Sequence, residues 1–138
     1  MGRASERCVL IVDDDKAILE TMAAVLEDQG YAVLVAFGGE HAWMTLQLHT
    51  TPPDMVLVDL MMSRGDGWSL MDRIQKDARL VGIPVVVMSA GGFPLLSTAP
   101  GAAGYLAKPI QLQTLLDTLE RALDGERGRA LRPRVGSA

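Results

Sequence analysis

Two hydrophobic rhythms alternate along the chain. Short apolar runs recur, each closed by a turn or polar residue: Cys8–Val12 before Asp13, Tyr31–Phe37 before Gly38-Gly39, Met55–Val58 before Asp59, Ile83–Met88 before Ser89, and Ala103–Ala107 before Lys108. Runs of this length, bounded by turn residues, suit strands buried on both faces. Between them the period lengthens to that of a helix. Ile18, Met22, Val25 and Leu26 share one face, with Asp15 as the predicted N-cap and Gly30 as the stop. Glu40 to His49 predicts a second helix burying Ala42, Trp43 and Leu46, ended by Thr50-Thr51-Pro52-Pro53. Asp66 to Ala78 predicts a third, with Leu70, Met71 and Ile74 inward. Phe93 to Gly101 is a poor helix, since it carries Pro94 and Pro100. Gln111 to Asp124 predicts the last helix, with Leu112, Leu115, Leu116, Leu119 and Leu123 on one face and Gly125 as its stop. Strand followed by helix, five times over, predicts an α/β domain with a five-stranded parallel sheet and helices on both faces.

Composition narrows the setting. A length of 138 residues, 49% of them hydrophobic, supports one domain with one core. The single cysteine, Cys8, excludes an internal disulfide framework and reads as packing. The first eight residues carry charges and no apolar signal core, and no apolar run approaches a membrane span. The expectation is a cytoplasmic protein. Charge is uneven: residues 1–124 hold nine Lys/Arg against sixteen Asp/Glu, whereas 125–138 hold Arg127, Arg129, Arg132 and Arg134 against Glu126. An acidic body argues against direct nucleic-acid binding by the domain. The basic end, rich in Gly and Pro, is expected to be a disordered tail or a linker stub.

The polar residues that close the runs change the picture. Asp13, Asp14 and Asp15 follow the first strand, Asp59 the third, Ser89 the fourth and Lys108 the fifth. In a parallel sheet these ends lie along one edge, where open α/β sheets bind ligands. One strand-end acid is ordinarily a cap, and Asp15 keeps that reading. Several converging carboxylates repel one another and need a cation, and an oxygen-only set suits Mg²⁺ better than zinc. Carboxylate, Mg²⁺, lysine and hydroxyl together suit phosphoryl transfer. His41 and His49 fall on or beside the second helix and are expected on the surface. Trp43 is expected in the core and Trp68 near the site.

These residues resemble the receiver domain of two-component response regulators. The resemblance is carried by Asp13-Asp14, by Asp59 in Val-Asp-Leu-Met-Met with Asp66-Gly67 beyond it, by Ser89-Ala90, and by Gly-Tyr-Leu-Ala-Lys-Pro at 104–109. It spans residues 8–124. It implies a flavodoxin-like doubly wound (βα)5 fold with strand order 2-1-3-4-5, a receiver domain over 7–124 and a tail over 125–138. It implies Asp59 as a phosphoacceptor loaded by a histidine kinase or histidine phosphotransfer protein. Asp14, Asp59 and the Met61 backbone carbonyl would ligate Mg²⁺, with Asp13 acting mainly through water. Lys108 would pair with Asp59, and Ser89 would donate to the phosphoryl group. Tyr105 would follow Ser89 as an aromatic switch, and a small Ala90 would leave room for phosphate. The Lys108–Pro109 bond is often cis in the family. A downstream protein partner, with homodimerisation an open option, completes the expectation.

Two departures from the family stand out. Ser63, then Arg64-Gly65, replaces a usual proline, which is expected to loosen that loop. The stretch from Ser89 to Lys108 is short, so its helix is expected to be short, irregular or mobile, which leaves the family's usual dimerisation on that face open. Two other readings compete. One is a receiver-fold interaction module that works without phosphorylation. The other is an aspartyl-phosphate phosphatase-like enzyme, with Asp13 as nucleophile and Asp15 as acid/base. Ala17 and the short chain, with no room for a cap domain, weigh against the latter.

Overall fold

The computed structural model describes residues 7–62, 66–90 and 101–131, with side chains through residue 125. Its strands are β1 (Cys8–Val12), β2 (Ala32–Ala36), β3 (Met55–Asp59), β4 (Val85–Ser89) and β5 (Gly104–Ala107). Its helices, among the described residues, are α1 (Lys16–Asp28), α2 (Gly39–Leu48), α3 (Asp66–Lys76) and α4 (Leu112–Leu131). The sheet order is β2-β1-β3-β4-β5, as expected. All four pairings are parallel.

The central strands form because both of their faces can be buried. Leu10, Val12, Val56, Val58, Val85 and Val87 point to one face, where they meet Ala42 and Leu46 of α2 and Leu70, Met71 and Ile74 of α3. Val9, Ile11, Met55, Leu57, Val86, Met88 and Leu106 point to the other, against Leu19, Met22 and Leu26 of α1 and Leu115, Leu119 and Leu123 of α4. β3 and β4 are buried along their full length, which explains their unbroken apolar sequence. Edge strand β2 is only partly covered, and Val35 is exposed.

Local chemistry sets the boundaries. Asp15 caps α1 as predicted, its Oδ1 accepting from the N–H groups of Ala17 at 3.0 Å and Ile18 at 3.2 Å. Gly30 follows α1 at φ 97°, a left-handed conformation that suits glycine. α3 ends at Lys76, earlier than Ala78, because Asp77 starts a turn: its Oδ1 accepts from Arg79 N–H at 2.8 Å and its carbonyl from Leu80 N–H at 3.0 Å.

Some expectations change. α4 continues through Gly125 to Leu131. An internal glycine weakens a helix by about 1 kcal/mol but does not terminate it, and no proline follows until Pro133. The helical part of the expected tail therefore belongs to α4. Leu19 is a core residue the periodicity passed over, while Ile18 and Val25 only flank the core. Leu112, assigned to the apolar face of the last helix, is exposed. Trp43 is half-buried, with the Arg73 guanidinium 4.9 Å from its ring centroid. The expectations for Ser63–Gly65 and for the segment after Ala90 fall on residues 63–65 and 91–100, outside those described.

Leu57 lies in the centre of the sheet with no exposure, whereas Leu48 is 77% exposed. Leu57→Ala should destabilise the domain by about 2–5 kcal/mol. Leu48→Ala should change stability by no more than about 0.5 kcal/mol. Urea unfolding of both variants measures the contrast.

Candidate functional site

The parallel register brings the strand ends level. Val12 pairs with Val58, so Asp13 and Asp59 stand side by side at the ends of β1 and β3. Asp59 is opposite Met88, and Ser89 is opposite Ala107. Backbone bonds extend the ladder past the strands: Asp13 N–H donates to Ala36 O at 3.2 Å, Leu60 N–H to Met88 O at 3.0 Å, and Lys108 N–H to Ser89 O at 3.0 Å. These bonds fix the backbone from which each polar side chain projects.

Asp13, Asp59 and Ser89 are buried, with Asp13 and Ser89 at 0% exposure and Asp59 at 3%; Asp14 is exposed. Asp13, Asp14 and Asp59 each offer a carboxylate oxygen, and these oxygens lie within 4.8 Å of one another. Lys108 reaches into the group from β5. Its Nζ donates to Asp13 Oδ2 at 2.7 Å and to Asp59 Oδ2 at 3.0 Å. The other oxygens are also engaged: Asp13 Oδ1 accepts from Asp15 N–H at 2.9 Å, and Asp59 Oδ1 from Met61 N–H at 2.8 Å. Buried side-chain polar atoms all have partners among the described residues.

Burial and charge oppose each other here. Burial raises the Asp13 carboxyl above its ordinary 3.8, with the Lys108 hydrogen bond, the Asp15 N–H and the Lys108 charge pulling the other way. For Lys108 burial disfavours the ammonium, but the hydrogen bonds and charges of Asp13 and Asp59 outweigh it and raise the amine above 10.5. One ammonium faces three carboxylates, so negative charge remains. All the donors are oxygens, and Asp14 stands at the exposed mouth. A hard divalent cation such as Mg²⁺ fits that donor set.

The expected residues are brought together: Asp13, Asp14, Asp59, Ser89 and Lys108 share one sheet edge. Lys108 was expected on Asp59, yet its shorter bond is to Asp13. No local pattern could signal a contact between residues so distant in sequence. Tyr105 lies on β5, 43% exposed, while Leu106 beside it is buried. The Lys108–Pro109 bond is cis, as the resemblance implied. The two histidines are exposed, but His41 is more than solvated surface. Its Nδ1 accepts from Phe37 N–H at 3.0 Å just beyond β2, and its ring stacks on Phe37 at 5.4 Å. Asp15 serves as a helix cap, which argues against an acid/base role for it.

The doubly wound α/β sheet thus gathers an acidic cluster and a lysine at the C-terminal ends of its strands, at the switch point of the strand order. The model of the response regulator receiver domain matches residues 9–120, and this chain belongs to that family. It is 33% identical over 121 residues to the protein PilH of Pseudomonas aeruginosa, covering 85% of this chain and 98% of PilH. It is 32% identical over 106 residues to the response regulator GtcR of Aneurinibacillus migulanus, covering 75% of this chain and 42% of GtcR. It thus spans less than half the length of GtcR. Among solved structures, the chemotaxis response regulator CheY4 of Vibrio cholerae superposes with a TM-score of 0.77 at 27% identity, covering 86% of this chain and 99% of that one. A CheY-like receiver domain protein from Methanospirillum hungatei superposes at 0.80 with 25% identity, covering 91% and 99%. No helix of the described residues is long and apolar enough to cross a membrane.

Lys108→Met should expose how much the cluster needs its cation. In metal-free buffer at pH 7 it leaves buried carboxylates uncompensated and should cost about 3 kcal/mol. The deficit should shrink as pH falls through the raised Asp13 range, because protonated Asp13 needs no counter-charge. In the unmodified protein the Lys108 contribution is fully present above the raised Asp13 range and below 10.5, and is lost as pH rises through its higher folded value. Urea unfolding across pH compares the two.

Proposed function

We propose that the domain accepts a phosphoryl group on Asp59 and uses the new charge to switch a protein-binding surface. The observation that carries this reading is Lys108 Nζ held within 3.0 Å of both Asp13 and Asp59, at the edge that also holds buried Ser89. The donor is a phosphohistidine on a histidine kinase or a histidine phosphotransfer protein. An Asp59 carboxylate oxygen attacks phosphorus, the O–P bond forms, the P–N bond breaks, and the imidazole leaves. Asp14, Asp59 and the Met61 carbonyl would hold Mg²⁺, with Asp13 bound to it through water. The ion supplies neutralising charge for the phosphoryl oxygens. Lys108 orients Asp59 beforehand and afterwards pairs with the phosphoryl group. Ser89 donates its hydroxyl to the same group.

The switch follows from that pairing. Drawing Ser89 and Lys108 toward the new charge biases β4 and β5, and Tyr105, exposed on edge strand β5, alters the exposed surface. Residues 7–124 make up the receiver, with α4 continuing past it to Leu131. The partner read by that surface is a downstream protein, in the cytoplasm. The domain itself contributes no nucleic-acid contact. The match of residues 9–120 to the receiver-domain model, and Asp15 serving as a helix cap, favour this over the phosphatase reading.

Incubation with acetyl phosphate and Mg²⁺ should add one phosphoryl group, and mass spectrometry should find it on Asp59. Asp59→Asn should abolish it. Modification on Asp13 instead, or none on the unmodified chain, would rule the proposal out. Mg²⁺ at about a hundred times its Kd should raise unfolding free energy by about 2.7 kcal/mol, and Asp14→Ala should reduce that gain.

A further inference from the structure

We infer that Gly67 and Gly39 are positioning residues for Asp59, two close contacts in series that seat the acceptor's own peptide. The inference rests on the reading of Asp59 as phosphoacceptor. Gly67 lies in the first turn of α3, and both glycines are buried. A Cβ at Gly67 would stand 2.2 Å from Asp59 O, 2.8 Å from Leu60 Cα and 3.0 Å from Asp59 C. These are backbone atoms of the strand end that bears the carboxylate, so they cannot swing aside as the tip of a long side chain could. A Cβ at Gly39, the first residue of α2, would stand 2.8 Å from Asp66 O and 2.9 Å from Asp66 Cβ. The start of α2 therefore rests on Asp66, and the next residue, Gly67, rests on Asp59.

Neither glycine has a left-handed φ; among glycines of the described residues Gly30 and Gly101 do. The requirement at 39 and 67 is steric rather than conformational. Reaching ordinary van der Waals separation from Asp59 O would need a shift of at least about 1.2 Å at Gly67. Taken up by the Asp59 strand end, a shift of that size would stretch the 2.8 Å Met61 N–H bond and the 3.0 Å Lys108 bond beyond hydrogen-bond range. It also moves the carboxylate relative to Asp13 and Asp14. The helix pair α2–α3 thus acts on the site through backbone contact, although no side chain of α2 reaches it as a ligand.

Three variants test this: Gly67→Ala, Gly39→Ala, and Gly82→Ala as a control, since a Cβ at Gly82 meets nothing within 4 Å. The amide proton shift of Met61, read by NMR without metal, reports the bond to Asp59 Oδ1. The rate constant for phosphorylation by acetyl phosphate at saturating Mg²⁺, per folded molecule, reports the consequence. In that step an Asp59 oxygen displaces acetate from phosphorus. Gly67→Ala should move the Met61 proton upfield and slow phosphorylation on the order of tenfold to a hundredfold. Gly39→Ala should move both in the same direction by less, and Gly82→Ala should move neither. A folded Gly67→Ala with both readouts unchanged overturns the inference, as does an equal effect in Gly82→Ala. Should Gly67→Ala fail to fold, Gly39→Ala decides, and unchanged readouts there overturn it. If the unmodified chain takes up no phosphoryl group, the proposed function falls while the Met61 shift still tests the seating.

Discussion

The bridge from Lys108 to Asp13 and Asp59 is the interaction on which the site depends. Three carboxylates gathered at one edge, two of them buried, would drive the strand ends apart or take up protons. A single ammonium at 2.7 and 3.0 Å holds two of them in place. It does so at a cost, since burial disfavours the charged forms of Asp13 and Lys108 alike. Backbone N–H groups of Asp15 and Met61 share the work by donating to the remaining oxygens. The result is a site that is fully bonded yet short of positive charge. Such a site has a physical reason to take up a divalent cation.

That bridge exists only because the sheet is parallel and doubly wound. β1 and β3 are neighbours, so Asp13 and Asp59 are level; β4 and β5 follow, so Ser89 and the Lys108 backbone meet. The helices needed to bury both sheet faces make this order stable. α2 and α3 cover one face, and α1 and α4 the other. The same helices deliver their N-termini to the edge that carries the acids. Packing and site geometry are therefore one problem, which is why a glycine in α3 can matter to a carboxylate on β3.

The two sides of the site differ in how firmly they are built. Asp13, Asp59 and Ser89 sit on buried strand ends and are tied into the backbone ladder. Tyr105 is exposed on β5, where the sheet ends. Under the proposed function, buried carboxylates on one side and an exposed aromatic on the other would suit a device that converts a local charge into a change of surface. Kinship with PilH and with CheY4 places the chain among proteins of this family.

Much of this was legible in the sequence. Apolar runs ending at Asp13, Asp59, Ser89 and Lys108 marked the strands and the edge, because strands buried on both faces must be continuously apolar. Caps were legible where the signal is local, as at Asp15 and Gly30. The helix ends at Asp77 and Gly125 were not: an Asp side-chain turn closed α3 early, and helix propensity carried α4 past a glycine. The strand order came with the family resemblance rather than from periodicity. Tertiary structure alone decided that Lys108 would lie nearer Asp13 than Asp59, and that Gly67 would pack against the Asp59 carbonyl with no room for a Cβ. Both are contacts between residues distant in the chain, set by register and helix packing. A one-dimensional pattern can say which groups reach an edge, but only the packed sheet sets how far apart they stand.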